Sequence, residues 1–426
     1  MKRCKYDVVI IGGGPAGLAA AIAARREGAE SVAVFERDFR AGGILEQCIH
    51  IGFGLHRFKE DLSGPEYATR FISEAKSEGV DIFLSTTIIS INKDTNILEG
   101  VNQEGNLVID AGAIVLAMGC RERTRHQIVI PGTRPAGIFT AGTAQRFINV
   151  QNAKVGKNIV ILGSGDVGMI MARRLSLEGA NVCAVIEINP YLTGLTRNRV
   201  QCLDDYSIPL YLSHTITNIY GSKRVESVEV CQVDEQLKPI PGSELLIECD
   251  TVLCSVGLIP ENELSREAGI MLDNVTGGPV VDSTLMTSRN GVFACGNVLH
   301  INDLVDNVSD ESEIAGRAAA RYVKGNRRTI FSCKITAGNG VSYTMPGSIN
   351  LQEDDESIRV FFRVSTPMRN VKIVVNDEKK CLLSKNRDWV NPGEMESVLI
   401  SREKLIGCSN ITISMVRNDS RKETGE

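Results

Sequence analysis

Apolar and polar positions alternate in two different ways along this chain. Up to about residue 328, short β-branched runs enter glycine-rich turns, and the stretches after those turns carry apolar residues at helical spacing. Val8–Ile11 and Ile159–Leu162 are the clearest runs, unbroken and apolar as expected of strands buried on both faces of a parallel sheet. Beyond 328 the period shortens to two. Ile358, Val360, Phe362 and Val364 alternate with polar residues, as do Val371, Ile373 and Val375, and then Ile411, Ile413 and Met415. Turn signals at Asn376-Asp377 and Asn391-Pro392-Gly393 separate them. This pattern predicts a small antiparallel β domain, a sandwich.

The first region repeats itself. "YDVVIIGGGPAGLAAAIAARREGAESVAVFER" and "KNIVILGSGDVGMIMARRLSLEGANVCAVIEIN" both read strand, turn, helix, strand. Glycines fall at G-x-G-x-x-G spacing in each: Gly12, Gly14, Gly17, then Gly163, Gly165, Gly168. The first glycine permits the turn, the second lets backbone approach a pyrophosphate, and the third lets helix and strand pack closely. Pro15 and Ala16 open one helix, Asp166 and Val167 the other, where free N–H groups and a positive dipole end await phosphate. A glutamate ends each second strand, Glu36 (followed by Arg37) and Glu187, nineteen positions past the third glycine in both copies. Such a carboxylate accepts hydrogen bonds from a ribose diol and repels a 2′-phosphate, so Glu187 favours NADH over NADPH.

Two nucleotide sites on one chain suggest FAD and NAD(H). The expected fold is α/β with two Rossmann-like dinucleotide-binding domains plus a small C-terminal all-β domain. The FAD domain is expected over 1–152 and again over 263–328, the NAD(H) domain over 153–262, the β domain over 329–418, and a disordered tail over 419–426.

Composition narrows the function class. A net charge of -5 without a Lys/Arg run argues against nucleic-acid binding. The first apolar run is broken by Asp7 and the glycine turn, unlike a signal peptide, and no later run has the length of a membrane span. Twelve cysteines in no framework spacing read as reduced thiols in a cytoplasmic protein. Neither an iron–sulfur signature nor a metal-ligand cluster such as H-E-x-x-H is present in the sequence.

With these units in place, the chain resembles the two-dinucleotide-binding-domain flavoproteins of the pyridine nucleotide-disulfide oxidoreductase type, over roughly its first three quarters. "AIVLAMGCRERT" is similar to the family strand ending in A-T-G, here Ala117, Met118 and Gly119. "TSRNGVFACGN" resembles the second FAD motif, with Gly296 and with Asn297 in place of the usual aspartate. In "DNVSDESEIAGRAAARYV", Asp310 and Glu313 have capping-box spacing. The resemblance implies a helix there whose N-terminus faces the flavin. "GCRERTRHQIVIPGTRPAGIFTAGTAQRFIN" looks like the signature of FAD/NAD subunits of multi-subunit amine, imino-acid and opine dehydrogenases and hydrogen cyanide synthase. "CIHIGFGLHRFKEDLSGPEYA" and "GLTRNRVQCLDDYSIPLYLSHT" look like flavoproteins found beside anaerobic glycerol-3-phosphate dehydrogenase. This resemblance implies a partner flavoprotein dehydrogenase subunit, together with a small cysteine-rich redox protein, within a homo- or hetero-oligomer.

Disulfide reductases of this fold carry C-x-x-x-x-C after a second Gly-Gly turn. Here that turn is Gly42-Gly43, Leu45 stands in place of the first sulfur, and Cys48 has no second cysteine nearby in sequence. Cys249 and Cys254 have the spacing but read as strand, where their Cα atoms would stand about 16 Å apart. Cys48 reads either as a flavin-proximal thiolate helped by His50, or as a small buried hydrophobe. His50 and His56 are candidates for proton transfer or for positioning. His300 is expected near the same cofactor, and Phe53 either there or in the core. Three functions stay open: an FAD-dependent NADH oxidoreductase feeding a partner, a stand-alone flavin reductase or NADH oxidase, and a non-catalytic FAD relay with a structural adenine nucleotide.

Overall fold

The structure is a computed structural model that describes residues 2–325, 332–351 and 356–418. The expected disordered tail and the junction at 328 lie outside the described residues. The chain divides into two compact units, one formed by 1–120 with 260–426 and the other by 121–259.

The first unit is built on a seven-stranded sheet. Lys2–Ile11 lies between Val32–Phe35 and Gly105–Leu116, and Asp81–Phe83 closes one edge, all parallel. Gly105–Leu116 is long enough to serve two further neighbours on its other edge. Its first half pairs antiparallel with Ile97–Asn102, and its last residues pair parallel with Val292–Ala294. The helix Pro15–Arg26 buries nine residues, six of them alanine, against this sheet and the long helix Val305–Val323. Small residues set that approach: a Cβ on Gly316 would stand 2.1 Å from the Ala20 carbonyl oxygen.

The second unit has an all-parallel five-stranded sheet in the order Ile138–Thr140, Thr251–Cys254, Asn158–Leu162, Asn181–Ile186, Leu210–Tyr211. A three-stranded antiparallel sheet, His214–Gly221, Val225–Gln232 and Leu245–Glu248, packs on it through Ile216, Val228 and Val230. The boundary expected at 152 is displaced. Ile138–Thr140 pairs with Thr251–Cys254, so the segment from Arg121 onward belongs to the second unit. Its apolar run reads as a strand wherever it docks, and local pattern does not select the sheet.

The C-terminal strands form two facing sheets around one core. Val360, Phe362 and Val364 from one sheet meet Ile373, Val375 and Ile413 from the other. The residues singled out by period-two alternation are those buried here. One pair departs from the antiparallel expectation: Ser332–Ala337 runs parallel to Asn410–Arg417. Asn350 and Gly347 donate backbone N–H bonds to Ser283 Oγ and the Val281 carbonyl, anchoring this domain to the rest of the first unit. Among the described residues, no helix is long and apolar enough to cross a membrane.

Candidate dinucleotide sites

The two glycine turns are built alike. Gly12 and Gly163 have φ of +108° and +101°, and a Cβ on either would stand 2.3 and 2.0 Å from the carbonyl oxygens of Ala117 and Ser255. Gly17 and Gly168 face inward, where a Cβ would meet the oxygens of Gly12 and Gly163 at 1.8 and 2.9 Å. The middle glycines differ. The nearest atom to a Cβ on Gly14 is Gly43 Cα at 3.9 Å, and on Gly165 it is Ser255 Oγ at 3.7 Å. First and third glycines are thus demanded by the chain's own packing, whereas the middle one leaves space at a helix start. Pro15 and Asp166 begin those helices, and no side chain caps either. Open space beside uncapped helix amides is what a pyrophosphate requires.

Gly42 and Gly43 both have positive φ, and the Gly42 N–H donates to the Gly13 carbonyl at 2.8 Å, laying this turn against the first one. Ala16 is buried beside Gly296, whose added Cβ would stand 2.7 Å from the Ala16 Cβ. Ala117 is 6% exposed and Gly119 opens onto empty space, with nothing within 4 Å of an added Cβ. Arg37 ion-pairs with Glu261 at 3.1 Å. In the second unit, Val167 packs on the core, and Asp166 accepts from the Leu195 amide at 2.8 Å and from Asn198 Nδ2 at 2.6 Å. Asp166 thereby ties the following loop to the second glycine turn.

The two carboxylates are used differently. Glu36 accepts two backbone N–H bonds, from Gly13 at 2.7 Å and Asp38 at 2.7 Å. Glu187 accepts the Ser164 amide and hydroxyl at 2.9 and 2.6 Å, Thr193 Oγ1 at 3.1 Å, and the Asn189 amide and Nδ2 at 2.9 and 2.7 Å. A carboxylate offers about four lone-pair positions. Glu36 keeps capacity for a ribose diol, whereas Glu187 is filled by its own loop.

The segments expected at a flavin come together in the first unit. Asn297 Oδ1 accepts the Asn302 amide at 3.0 Å. Glu311 bridges the Gly296 amide (2.8 Å) and His300 Nε2 (2.8 Å), both within the core. The long helix begins at Val305, earlier than the sequence spacing suggests, with Leu304 as its N-cap. Asp310 and Glu313 are therefore not a capping box. They sit within the helix and take Arg57, Asp310 at 3.1 Å. Asp306 occupies the first turn instead, and its Oδ2 accepts the His56 amide at 2.8 Å. Two buried acceptors here, Asn302 Oδ1 and Asp306 Oδ1, have no hydrogen-bond partner in the described residues. Orphaned acceptors beside the second FAD motif fit a group that brings N–H and O–H donors.

Cys48 is partly buried, and its amide donates to the Leu45 carbonyl at 3.0 Å. Leu45 is 2% exposed. Cys48 Sγ donates to the Ile44 carbonyl at 3.3 Å, and the Cys48 carbonyl accepts the Gly64 amide at 2.8 Å, where the helix Gly64–Ser77 starts. A Cβ on Gly64 would lie 2.9 Å from the Cys48 Cβ. Burial pushes the Cys48 thiol up to about 12, which disfavours the thiolate. None of the twelve cysteines is joined in a disulfide, and Cys249 and Cys254 are both buried in the second unit. The His50 ring donates from Nδ1 to the Ile51 carbonyl at 2.9 Å and leans on Phe53 at 5.0 Å between centroids, while the His56 residue is exposed.

Glu311, Asp306 and Asn302 went unread in the sequence. A signal existed for Glu311: the buried stripe of Ala315, Gly316, Ala319 and Ala320, continued backward at helical spacing, passes through Ser312, Glu311 and Val308.

The pyridine nucleotide-disulphide oxidoreductase family model matches residues 6–326. An opine oxidase subunit of Agrobacterium tumefaciens is 26% identical over 336 residues, covering 74% of this chain and 64% of the relative. The chain thus spans less than two thirds of that protein's length. The 34.2 kDa protein in the rubredoxin operon of Clostridium pasteurianum is 27% identical, over 76% of this chain and all of the relative. The crystal structure of T. acidophilum thioredoxin reductase superposes with a TM-score of 0.62 at 27% identity, covering 74% of this chain and 98% of that one. Two matching glycine turns, their sheets and this family match agree: the chain belongs to the pyridine nucleotide-disulphide oxidoreductase family, whose members are FAD-dependent oxidoreductases that use NAD(P)H.

Proposed function

We propose that this chain is an FAD-dependent NADH oxidoreductase subunit that exchanges electrons with a separate redox protein rather than through an internal disulfide. The observation that carries this reading is the pairing of two open glycine turns with a disulfide position that holds Leu45 in place of the first sulfur. FAD, when bound, supplies hydride and single-electron chemistry. The chain supplies binding and orientation. Gly12, Gly14, Gly17 and Gly43 would receive the FAD pyrophosphate at the helix Pro15–Arg26, and Glu36 the ribose. Gly119, Gly296 and Asn297 would hold the ribityl side, and the orphaned oxygens of Asn302 and Asp306 would accept its N–H or O–H groups. Gly163, Gly165 and Gly168 would receive NADH. Glu187 favours NADH through its charge, which repels a 2′-phosphate, rather than through a free lone pair.

One relative is named as part of an opine oxidase and another comes from a rubredoxin operon, and both support a partner-dependent role. The partners we infer are a flavoprotein dehydrogenase subunit, in a complex of the glycerol-3-phosphate dehydrogenase type, and a small cysteine-rich redox protein. Cysteines kept as thiols throughout the chain support a cytoplasmic setting. The test is anaerobic addition of NADH to the purified chain while the visible flavin band is followed. Rapid bleaching is expected. A protein that holds FAD yet stays oxidised would overturn the oxidoreductase reading in favour of a relay.

A further inference from the structure

We propose that the C-terminal β domain is a brace for the flavin loop, and that Arg363 is its positioning residue. The proposal rests on the FAD reading of Gly296–Asp306 given above. Three features of the first unit carry it.

Arg363 lies on the strand Ser357–Val364 and is half-buried. Its guanidinium donates to the Ile301 carbonyl at 3.1 Å, to the Pro392 carbonyl at 3.0 Å, and to Asp303 Oδ1. Asp303 also accepts the Met395 amide at 2.6 Å through Oδ2. Both oxygens of Asp303, two residues before the long helix, are thus held by the β domain.

The second feature is His300. Its ring is 1% exposed and is enclosed by Tyr343 and Phe361, at 6.1 and 5.9 Å between centroids. Tyr343 Oη lies 3.5 Å from His300 Nδ1, and burial pushes that hydroxyl up to about 12, which keeps its proton in place. The third is Glu311, which joins His300 to the Gly296 amide. A continuous set of polar contacts therefore runs from the β domain to the backbone of the second FAD motif. The segment between them carries Asn297 and the orphaned acceptor Asn302, and the second orphaned acceptor, Asp306, sits in the first turn of the helix that follows.

The physical consequence is preorganisation. A loop already held in its binding form loses less entropy when a ligand arrives, so removing the brace weakens binding without removing a ligand contact. Arginine suits the task because one planar fork reaches a carboxylate and two carbonyls, which a lysine ammonium cannot match.

The test compares the full-length wild type with Arg363→Ala, Arg363→Lys and Asp303→Asn. Each is stripped of flavin, titrated with FAD, and reduced at controlled potential. Circular dichroism checks the fold. We expect FAD dissociation constants roughly tenfold higher for Arg363→Ala and Asp303→Asn, with partial recovery in Arg363→Lys, and a displaced flavin midpoint potential in all three. Folded variants with wild-type affinity and potential overturn the brace. Should Arg363→Ala not fold, Asp303→Asn, which keeps the side-chain size, decides in the same way. Wild-type protein that binds no FAD instead overturns the FAD reading itself, a result distinct from failure of the brace.

Discussion

The turns at Gly12–Gly17 and Gly163–Gly168 share their glycines, their positive φ and a glutamate at the end of the next strand, yet their carboxylates do different work. Glu36 accepts two amides and keeps capacity, whereas Glu187 is saturated by Ser164, Asn189 and Thr193. The difference shows that a motif specifies backbone geometry more tightly than side-chain role. The glycines answer to steric limits of the same kind in both copies. The glutamates answer to whichever donors the local loop provides, and "SGD" with "EINPYLT" provides more than "GGP" with "ERD".

The largest expected effects separate the glycines within each turn. Gly17→Ala forces a Cβ into the Gly12 carbonyl oxygen, and Gly168→Ala forces one against Ser255 Cβ and the Gly163 oxygen; each should cost about 3 kcal/mol or more in stability, read by thermal unfolding. Gly14→Ala and Gly165→Ala meet open space. They should stay within about 1 kcal/mol of wild type. Their binding should nevertheless weaken at least about tenfold, for FAD in the first case and NADH in the second. A Gly14→Ala protein that unfolds like Gly17→Ala would break the assignment of that space to a ligand.

The carboxylates come next. Glu36→Gln should weaken FAD roughly tenfold, because a charge-assisted acceptor becomes a neutral amide. Glu187→Gln should leave FAD affinity alone and narrow the preference for NADH over NADPH, seen as KM values that converge. Equal FAD losses in the two variants would erase the proposed difference.

Cys48 should matter least. Its neutral thiol contributes stability that is full below pH 9.0, the ordinary thiol value, and is lost as pH rises from there toward about 12. Cys48→Ala should flatten that alkaline loss in unfolding experiments. The rate of flavin reduction by NADH should not change, and a marked drop in that rate would restore a catalytic role for the sulfur.

Much of the first unit was legible because its signals are local. Val8–Ile11, the glycines and the alanine-rich helix each declare their conformation within a few residues. The C-terminal strands were legible for the same reason, since Val360 and Phe362 alternate as a half-buried strand must. The helix start at Val305 was not legible. Asp310 and Glu313 imitate a cap, but the helix starts at Val305, and both carboxylates pair instead with Arg57, far away in sequence. The placement of Ile138–Thr140 was hidden likewise, because a short apolar run fits either sheet.

The sequence by itself determined the two glycine turns, the absence of a second cysteine near the Gly42–Gly43 turn, and the β character of the tail. Each follows from steric or periodic constraints that act between near neighbours. Tertiary structure alone decided how many donors each carboxylate receives, that burial pushes the Cys48 thiol up, and that Arg363 reaches Asp303. Those outcomes depend on which distant groups share a low-dielectric interior, where a hydrogen bond or a charge is settled by its partners rather than by its position in the chain.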